Sequence, residues 1–177
     1  MPLRFIADVD LEAVAAALAP RLIAYALART GRRADAEDIA QEALTAVVRR
    51  WRREGPPASP DAFVFAIARR RAGRANARRA LAAPLDAVRH VAQRGPSVEE
   101  AAVGRSALAE VLAAIRSLAR RDRETLLLRI AGELDIASIA ALTHSTPAAA
   151  KMRLSRARRR LAALLSEPDH ARRTRTA

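Results

Sequence analysis

The side chains of this 177-residue chain that could do chemistry are mainly cations, and they fall in two dense runs. The first is Arg69-Arg-Arg-Ala-Gly-Arg-Ala-Asn-Ala-Arg-Arg79, six arginines with no acid between Asp61 and Asp86. The second is Lys151-Met-Arg-Leu-Ser-Arg-Ala-Arg-Arg-Arg160. Cations at this density neutralise phosphates and make binding fall steeply with salt. Arginine can also donate two hydrogen bonds to guanine, and Lys, Arg and Ser can hold phosphates. Groups for making and breaking bonds are not in evidence. There is no glycine-rich phosphate loop, nucleophile elbow or paired catalytic carboxylate. Cysteine is absent, which excludes disulfides, thiolate metal sites and thiol redox sensing. His90, His144 and His170 lie far apart without ligand spacing, so neither a metal nor any other cofactor is expected. The chemistry expected is binding, and the chain is not expected to be an enzyme.

Net charge agrees: +13, with a pI near 11.7, points to a polyanionic partner. Lys151 is the one lysine among 32 basic residues, and alanine is abundant, as in a GC-biased coding sequence. That bias explains arginine in place of lysine but not the excess of cations over acids.

The elements that must carry these runs read as helices throughout. Apolar Leu, Ile and Val recur at helical spacing, diluted by alanine, so small all-helical units with thin cores are expected. Residues 9–30 are helical in pattern, with Pro20 opening a second helix at its first turn and Gly31 suited to a C-cap. Asp35-Ala-Glu-Asp38 opens the next helix, whose apolar side runs from Ile39 to Trp51, read as core. Gly55-Pro-Pro-Ala-Ser-Pro60 breaks the chain, and Ser59 caps a third helix starting at Pro60. Later helices are expected at about 106–119, 122–131, 135–142 and 147–165, with Gly132 ending the second of these, Asp135 capping the third and Thr146-Pro147 starting the fourth. On that fourth helix Ala150, Leu154, Ala157, Leu161 and Leu165 share a packing face. Met152, Arg156 and Arg159 lie opposite, flanked by Lys151, Arg153 and Ser155.

The domains expected are 1–80, a linker at 81–105, a second unit at 106–165 and a basic, disordered tail at 166–177. Charge follows that division, at +6 for 1–80, zero for 81–105 and +7 for 106–177. No basic leader followed by an apolar run marks a signal peptide, and no run of about 18 apolar residues suggests a membrane span.

A short helix, a turn and a basic helix place side chains in a DNA major groove. Leu118 to Leu164 resembles region 4 of bacterial RNA polymerase sigma factors of the extracytoplasmic function class, through Arg121-Asp-Arg-Glu124, Leu126-Leu-Leu-Arg129, Ile139-Ala-Ala-Leu142 and Thr146-Pro-Ala-Ala-Ala-Lys-Met-Arg-Leu-Ser-Arg-Ala157. The front half resembles region 2 through Pro20-Arg-Leu-Ile-Ala-Tyr25, Asp35-Ala-Glu-Asp-Ile-Ala-Gln-Glu42 and Phe63-Val-Phe-Ala-Ile-Ala-Arg-Arg70. The resemblance implies an all-α fold of two small helical domains on a flexible linker, which directs core polymerase to promoters and assists melting. It implies that Lys151, Met152, Arg153, Ser155, Arg156 and Arg159 meet the −35 element. It places Phe63, Arg69, Arg70, Arg74, Asn76, Arg78 and Arg79 at the −10 element, with Glu54–Pro60 as the base pocket. It gives Asp38, Gln41, Glu42, Thr45 and Arg49, a polar stripe that continues to Arg52, to the polymerase. By residue type alone, Phe63 and Phe65 suit core better than base stacking, and the stripe suits a solvated face.

Three departures stand out, one being Ala119 where the family often has Pro. Family members carry Leu-Gly and an apolar residue where this chain has Thr143-His144-Ser145, and positive φ costs His more than Gly. Their Gly-Thr-Val is here Ala148-Ala149-Ala150. The partners implied are core RNA polymerase, promoter DNA and an anti-sigma factor, with a cytoplasmic location, a monomeric free state and no membrane insertion. Two other readings stay open: a stand-alone helix-turn-helix regulator and a non-specific basic nucleic-acid-binding protein. The sigma reading expects two separate lobes with Arg156 and Arg69–Arg79 free; a single fused globule holding them in ion pairs would end it.

Overall fold

In the computed structural model, residues 3–86 and 99–173 are described, with side chains described over 11–81 and 107–166. The described residues form seven helices and no strand: α1 Leu3–Thr30, α2 Arg33–Glu54, α3 Pro60–Asp86, α4 Glu99–Ser117, α5 Arg120–Ile130, α6 Ile136–Leu142 and α7 Pro147–Arg173. The all-α class with two lobes is as expected: α1–α3 pack on one another, and α7 packs on α4, α5 and α6.

Local signals set most boundaries. Gly31 ends α1 at φ +73, its N–H bonding Leu27 O at 2.8 Å. Ser59 Oγ accepts the Ala62 N–H at 3.2 Å, Asp135 Oδ1 that of Ser138 at 2.7 Å, and Thr146 Oγ1 that of Ala149 at 3.1 Å. Each cap satisfies a first-turn donor that has no partner within the helix.

Three expectations need correction. Pro20 lies inside α1 rather than opening a new helix. It is exposed, so the carbonyl it leaves unpaired meets water, while Leu11, Leu18, Leu22 and Tyr25 carry one buried face past it. The tail expected to be disordered continues α7 as far as Arg173. In the packing face of α7, Leu164 takes the place given to Leu165, which is 38% exposed. Of the expected linker, 81–86 continue α3 and 99–105 begin α4, while 87–98, with His90, lie outside the described residues.

Leu11–Thr30 is long and apolar enough by composition to cross a bilayer. In the fold it is a core helix: Leu18, Leu22, Tyr25 and Ala26 are buried, and Arg21 and Arg29 are ion-paired. Tyr25 meets Phe65 edge-on at 5.4 Å between centroids, an arrangement worth about 0.5–1.5 kcal/mol beyond area burial.

The lobes do not stand apart. One apolar cluster joins Leu22, Tyr25, Ile39 and Phe65 to Leu127, Leu128, Ile139 and Ala150. A smaller one holds Leu118, Leu126, Leu154 and Ala157 under α7. Helix α5 is therefore buried on two sides, with Leu126 facing one cluster and Leu127 and Leu128 the other.

Candidate nucleic-acid interface and the contact between lobes

Helix α7 is held by its apolar side, and this sets what it presents. Ala150, Leu154 and Ala157 are buried, while Lys151, Met152, Ser155, Arg156 and Arg159 are exposed and Arg153 is half-buried. Five of these six residues therefore lie away from the core, as the spacing predicts, while Arg153 turns toward the other lobe, where it lines a cavity with Arg29, Arg69 and Arg70. Small Ala148 and Ala149 at the N-terminal end would let the backbone approach base edges.

The turn before α7 carries the strain expected of it. His144 sits at φ +51, and the local bonds close around it. Ser145 N–H bonds Ala140 O at 2.9 Å, and the Thr143 hydroxyl lies 2.9 Å from that of Ser145 and 2.7 Å from Ile139 O. The turn after α5 behaves likewise: the positive φ falls on Glu133 rather than on Gly132.

Arg156 is not free. Its Nε and Nη2 hydrogen-bond the two carboxylate oxygens of buried Asp122 at 2.5 and 2.7 Å. This fork holds the Asp122 carboxyl below its ordinary pKa and raises that of Arg156. The Arg156 side chain is still 60% exposed, and Nη1 is the nitrogen outside the fork.

The run on α3 divides by what each residue touches. Arg70, Arg74 and Arg78 are exposed, and none forms an ion pair among the described residues. Asn76 donates to Arg29 O at 3.0 Å and Arg79 to Thr30 O at 2.9 Å, so both cap the C-terminus of α1. Arg79 also pairs with Asp35, and Arg71 pairs with Glu42 at 3.0 Å. Phe65 is fully buried and Phe63 half-buried. The Glu54–Pro60 loop sits at the other end of α3, nine residues or about 14 Å along the axis from Arg69.

On α2, Asp38, Gln41, Glu42, Thr45, Arg49 and Arg52 are all exposed, opposite buried Ala36, Ile39, Ala40, Ala43 and Val47. Trp51 is half-buried. The polar stripe is thus one continuous surface, as its spacing predicts.

Sequence reading missed the polar contact between lobes. Tyr25 donates to Glu124 Oε1 at 2.5 Å across 99 residues of chain. Arg29 pairs with Glu124 Oε2, and Arg69 Nε lies 3.7 Å from Oε1. Burial pushes the Tyr25 hydroxyl well above its ordinary pKa, with the Glu124 charge adding to the rise, so it remains a donor. Arg21 reaches across as well. Its Nε bonds Ala131 O at 3.1 Å, its Nη2 bonds Gly132 O at 2.5 Å, and its Nη1 pairs with Asp61 at 2.7 Å. One signal was present: Arg21, Tyr25 and Arg29 recur every four residues on an otherwise apolar helix. The ion pairs of Arg156, Arg69, Arg71 and Arg79, and the shared core, run against the expectation of separate lobes with free cations.

Two family models match the chain, Sigma-70 region 2 over residues 14–81 and Sigma-70, region 4 over residues 108–161. Comparison with curated proteins gave no match. Among solved structures, the chain is similar to the sigma factor RpoE of Bartonella quintana in complex with the anti-sigma factor NepR. Identity is 25% and the TM-score 0.67, covering 89% of this chain and 97% of that one. It also resembles CnrH in complex with the cytosolic domain of CnrY, at 21% identity and a TM-score of 0.62, covering 89% and 88%. The CnrH likeness is one of fold.

Proposed function

The chain belongs to the sigma-70 family, in its extracytoplasmic function class, and we propose how its two lobes divide the work. It is a sigma factor: it directs core RNA polymerase to promoters for initiation. In the division proposed, Lys151, Met152, Arg153, Ser155, Arg156 and Arg159 enter the major groove at the −35 element. Met152, 69% exposed, suits a thymine methyl. Asp122 fixes the plane of the Arg156 guanidinium for its remaining donors. At the −10 element Arg70, Arg74 and Arg78 take phosphates and Phe63 lies toward the loop 54–60, while Asn76, Arg79 and Arg69 position α3. Asp38, Gln41, Glu42, Thr45 and Arg49 grip the polymerase. The observation that carries this reading is the outward polar face of α7, fixed by the Thr146 cap and the buried Ala150, Leu154 and Ala157.

In the proposed division, the closed arrangement of the lobes is a resting form of this factor. Arg69 and Arg70 of one lobe and Arg153 of the other line one cavity, so the two DNA surfaces cannot hold separate promoter elements until the lobes part. Engagement of α2 by polymerase supplies the free energy for parting. Once open, the tether keeps the second contact intramolecular. The chain makes and breaks no bonds itself; it works in the cytoplasm, where polymerase meets the chromosome, and is monomeric when free. Of the two similar structures, one holds the anti-sigma factor NepR and the other the cytosolic domain of CnrY, and an inhibitor acting on this chain would hold the same closed lobes. The test is the triple substitution Asp38→Ala, Gln41→Ala, Glu42→Ala. Binding to core polymerase is lost while binding of α7 to DNA stays intact; unchanged polymerase binding refutes the role of the stripe.

A further inference from the structure

Between the lobes lies a cavity of about 420 Å³ lined by six arginines, Arg29, Arg69 and Arg70 on one side and Arg120, Arg121 and Arg153 on the other. Glu124 is the one acid on its wall, and its carboxylate is already committed to Tyr25 and Arg29. The Arg29 side chain is only 5% exposed, yet its Nε has no hydrogen-bond partner. Arg69 Nε is likewise buried without a hydrogen bond. A second cavity of about 290 Å³ adjoins the first through Arg29, Gly73 and Arg120, and reaches Arg123, whose Nε is also unsatisfied. Burial and the charge of Arg29 hold the Arg123 pKa below its ordinary value. Buried donors of this kind carry a desolvation cost unless an acceptor reaches them.

We propose that this interlobe cavity is a binding site for a small oligophosphate, a di- or triphosphate group either free or on a nucleotide, which bridges both lobes and holds them closed. Six planar guanidinium forks ask for a ligand with several charges and many oxygen acceptors, as oligophosphates have. The volume lies within the range of small-ligand sites. Duplex DNA, with a major groove alone about 12 Å wide, does not fit. Gly73 adds to the space: a Cβ there would meet nothing within 4 Å. Because the ligand touches both lobes it binds only the closed form, and at ten times its Kd it multiplies the closed-to-open ratio about elevenfold. Binding itself does not depend on the sigma-factor role, whereas the resulting loss of initiation rests on that role.

The test is calorimetric titration of the full chain with sodium tripolyphosphate at about 150 mM salt, where loose attraction to net charge is screened. Saturable one-to-one binding is expected. The pair Arg120→Gln, Arg121→Gln removes two exposed wall cations and weakens it by about tenfold or more. The pair Arg158→Gln, Arg160→Gln removes equal charge from exposed positions on α7 and leaves the Kd within about twofold. In a Tyr25→Phe background, where closed and open forms coexist, tripolyphosphate also raises the closed fraction in a fluorescence energy-transfer assay, and adding the wall substitutions abolishes that rise. No saturable binding, or equal weakening by both pairs, overturns the site. So does a result in which a duplex oligonucleotide, and not tripolyphosphate, depends on Arg120 and Arg121, because those arginines then serve DNA. Each of these outcomes leaves promoter-specific initiation untouched, so failure of the site and failure of the sigma-factor role are told apart.

Discussion

Replacing Glu124 by Gln should open the molecule. In the closed form Arg29, 5% exposed, has Glu124 as its ion-pair partner, while Arg69, 30% exposed and 3.7 Å away, gains less. Removing one member of a buried pair costs about 3–5 kcal/mol because the other charge is stranded. Gln keeps an acceptor for Tyr25, and opening lets water reach Arg29, so the lower end applies. About 3 kcal/mol shifts the closed–open equilibrium by roughly 150-fold. Tyr25→Phe removes one hydrogen bond to the carboxylate and should shift it less, by about 1.5 kcal/mol or roughly tenfold. The chain has no native cysteine, so exposed Ala34→Cys and Ala163→Cys provide single dye sites on the two lobes. Single-molecule energy transfer should show one high-transfer population in the parent, a mixture in Tyr25→Phe and a dominant low-transfer population in Glu124→Gln. Helical content by circular dichroism should stay constant, since α1 and α5 each keep their own packing. An unchanged high-transfer population in Glu124→Gln, with helicity intact, would refute the idea that this contact holds the lobes together.

Three further outcomes follow from the same geometry. Thr146→Ala removes the cap of α7 and should cost about 1 kcal/mol in thermal unfolding, with weaker DNA binding by the C-terminal lobe. His144→Gly relieves the positive φ at the turn and, after the entropy gained by the unfolded chain, should stabilise by about 0.5 kcal/mol; a loss of stability would show that the His side chain is needed. The depressed Asp122 pKa has a defined pH consequence: its stabilisation is full above the unfolded carboxyl value of about 3.9 and is lost as pH falls through the lower folded value. An NMR titration should place the Asp122 midpoint below that of a free aspartate and move it upward in Arg156→Gln; a normal midpoint in the parent would mean the fork does not persist in solution.

What could be read from the sequence was what neighbouring residues decide. The caps at Ser59, Asp135 and Thr146, the strained turn at His144 and the two faces of α2 and α7 depend on contacts within a few residues. Pro20 misled because a proline inside a helix is easier to carry where the carbonyl it leaves unpaired is on the solvent side, as here. Exchange of Leu165 for Leu164 reflects a helix period of 3.6: after steps of four, three and four, a further step of four turns past the face that a step of three keeps. The polar contact between lobes was not legible. Glu124 reads as one acid in a basic stretch and Tyr25 as one aromatic in an alanine-rich helix, and only packing of α1 on α5 brings them together. The division of the α3 cations was hidden for a similar reason: Arg70 and Arg79 look alike until the C-terminus of α1 claims one of them.

Run-off transcription tests the central claim most directly: purified core polymerase and this chain on fragmented genomic DNA, with start sites mapped. The account predicts enriched starts that share two upstream elements at a fixed spacing, lost when Asp38, Gln41 and Glu42 are replaced by alanine. Starts distributed as with core polymerase alone would contradict it.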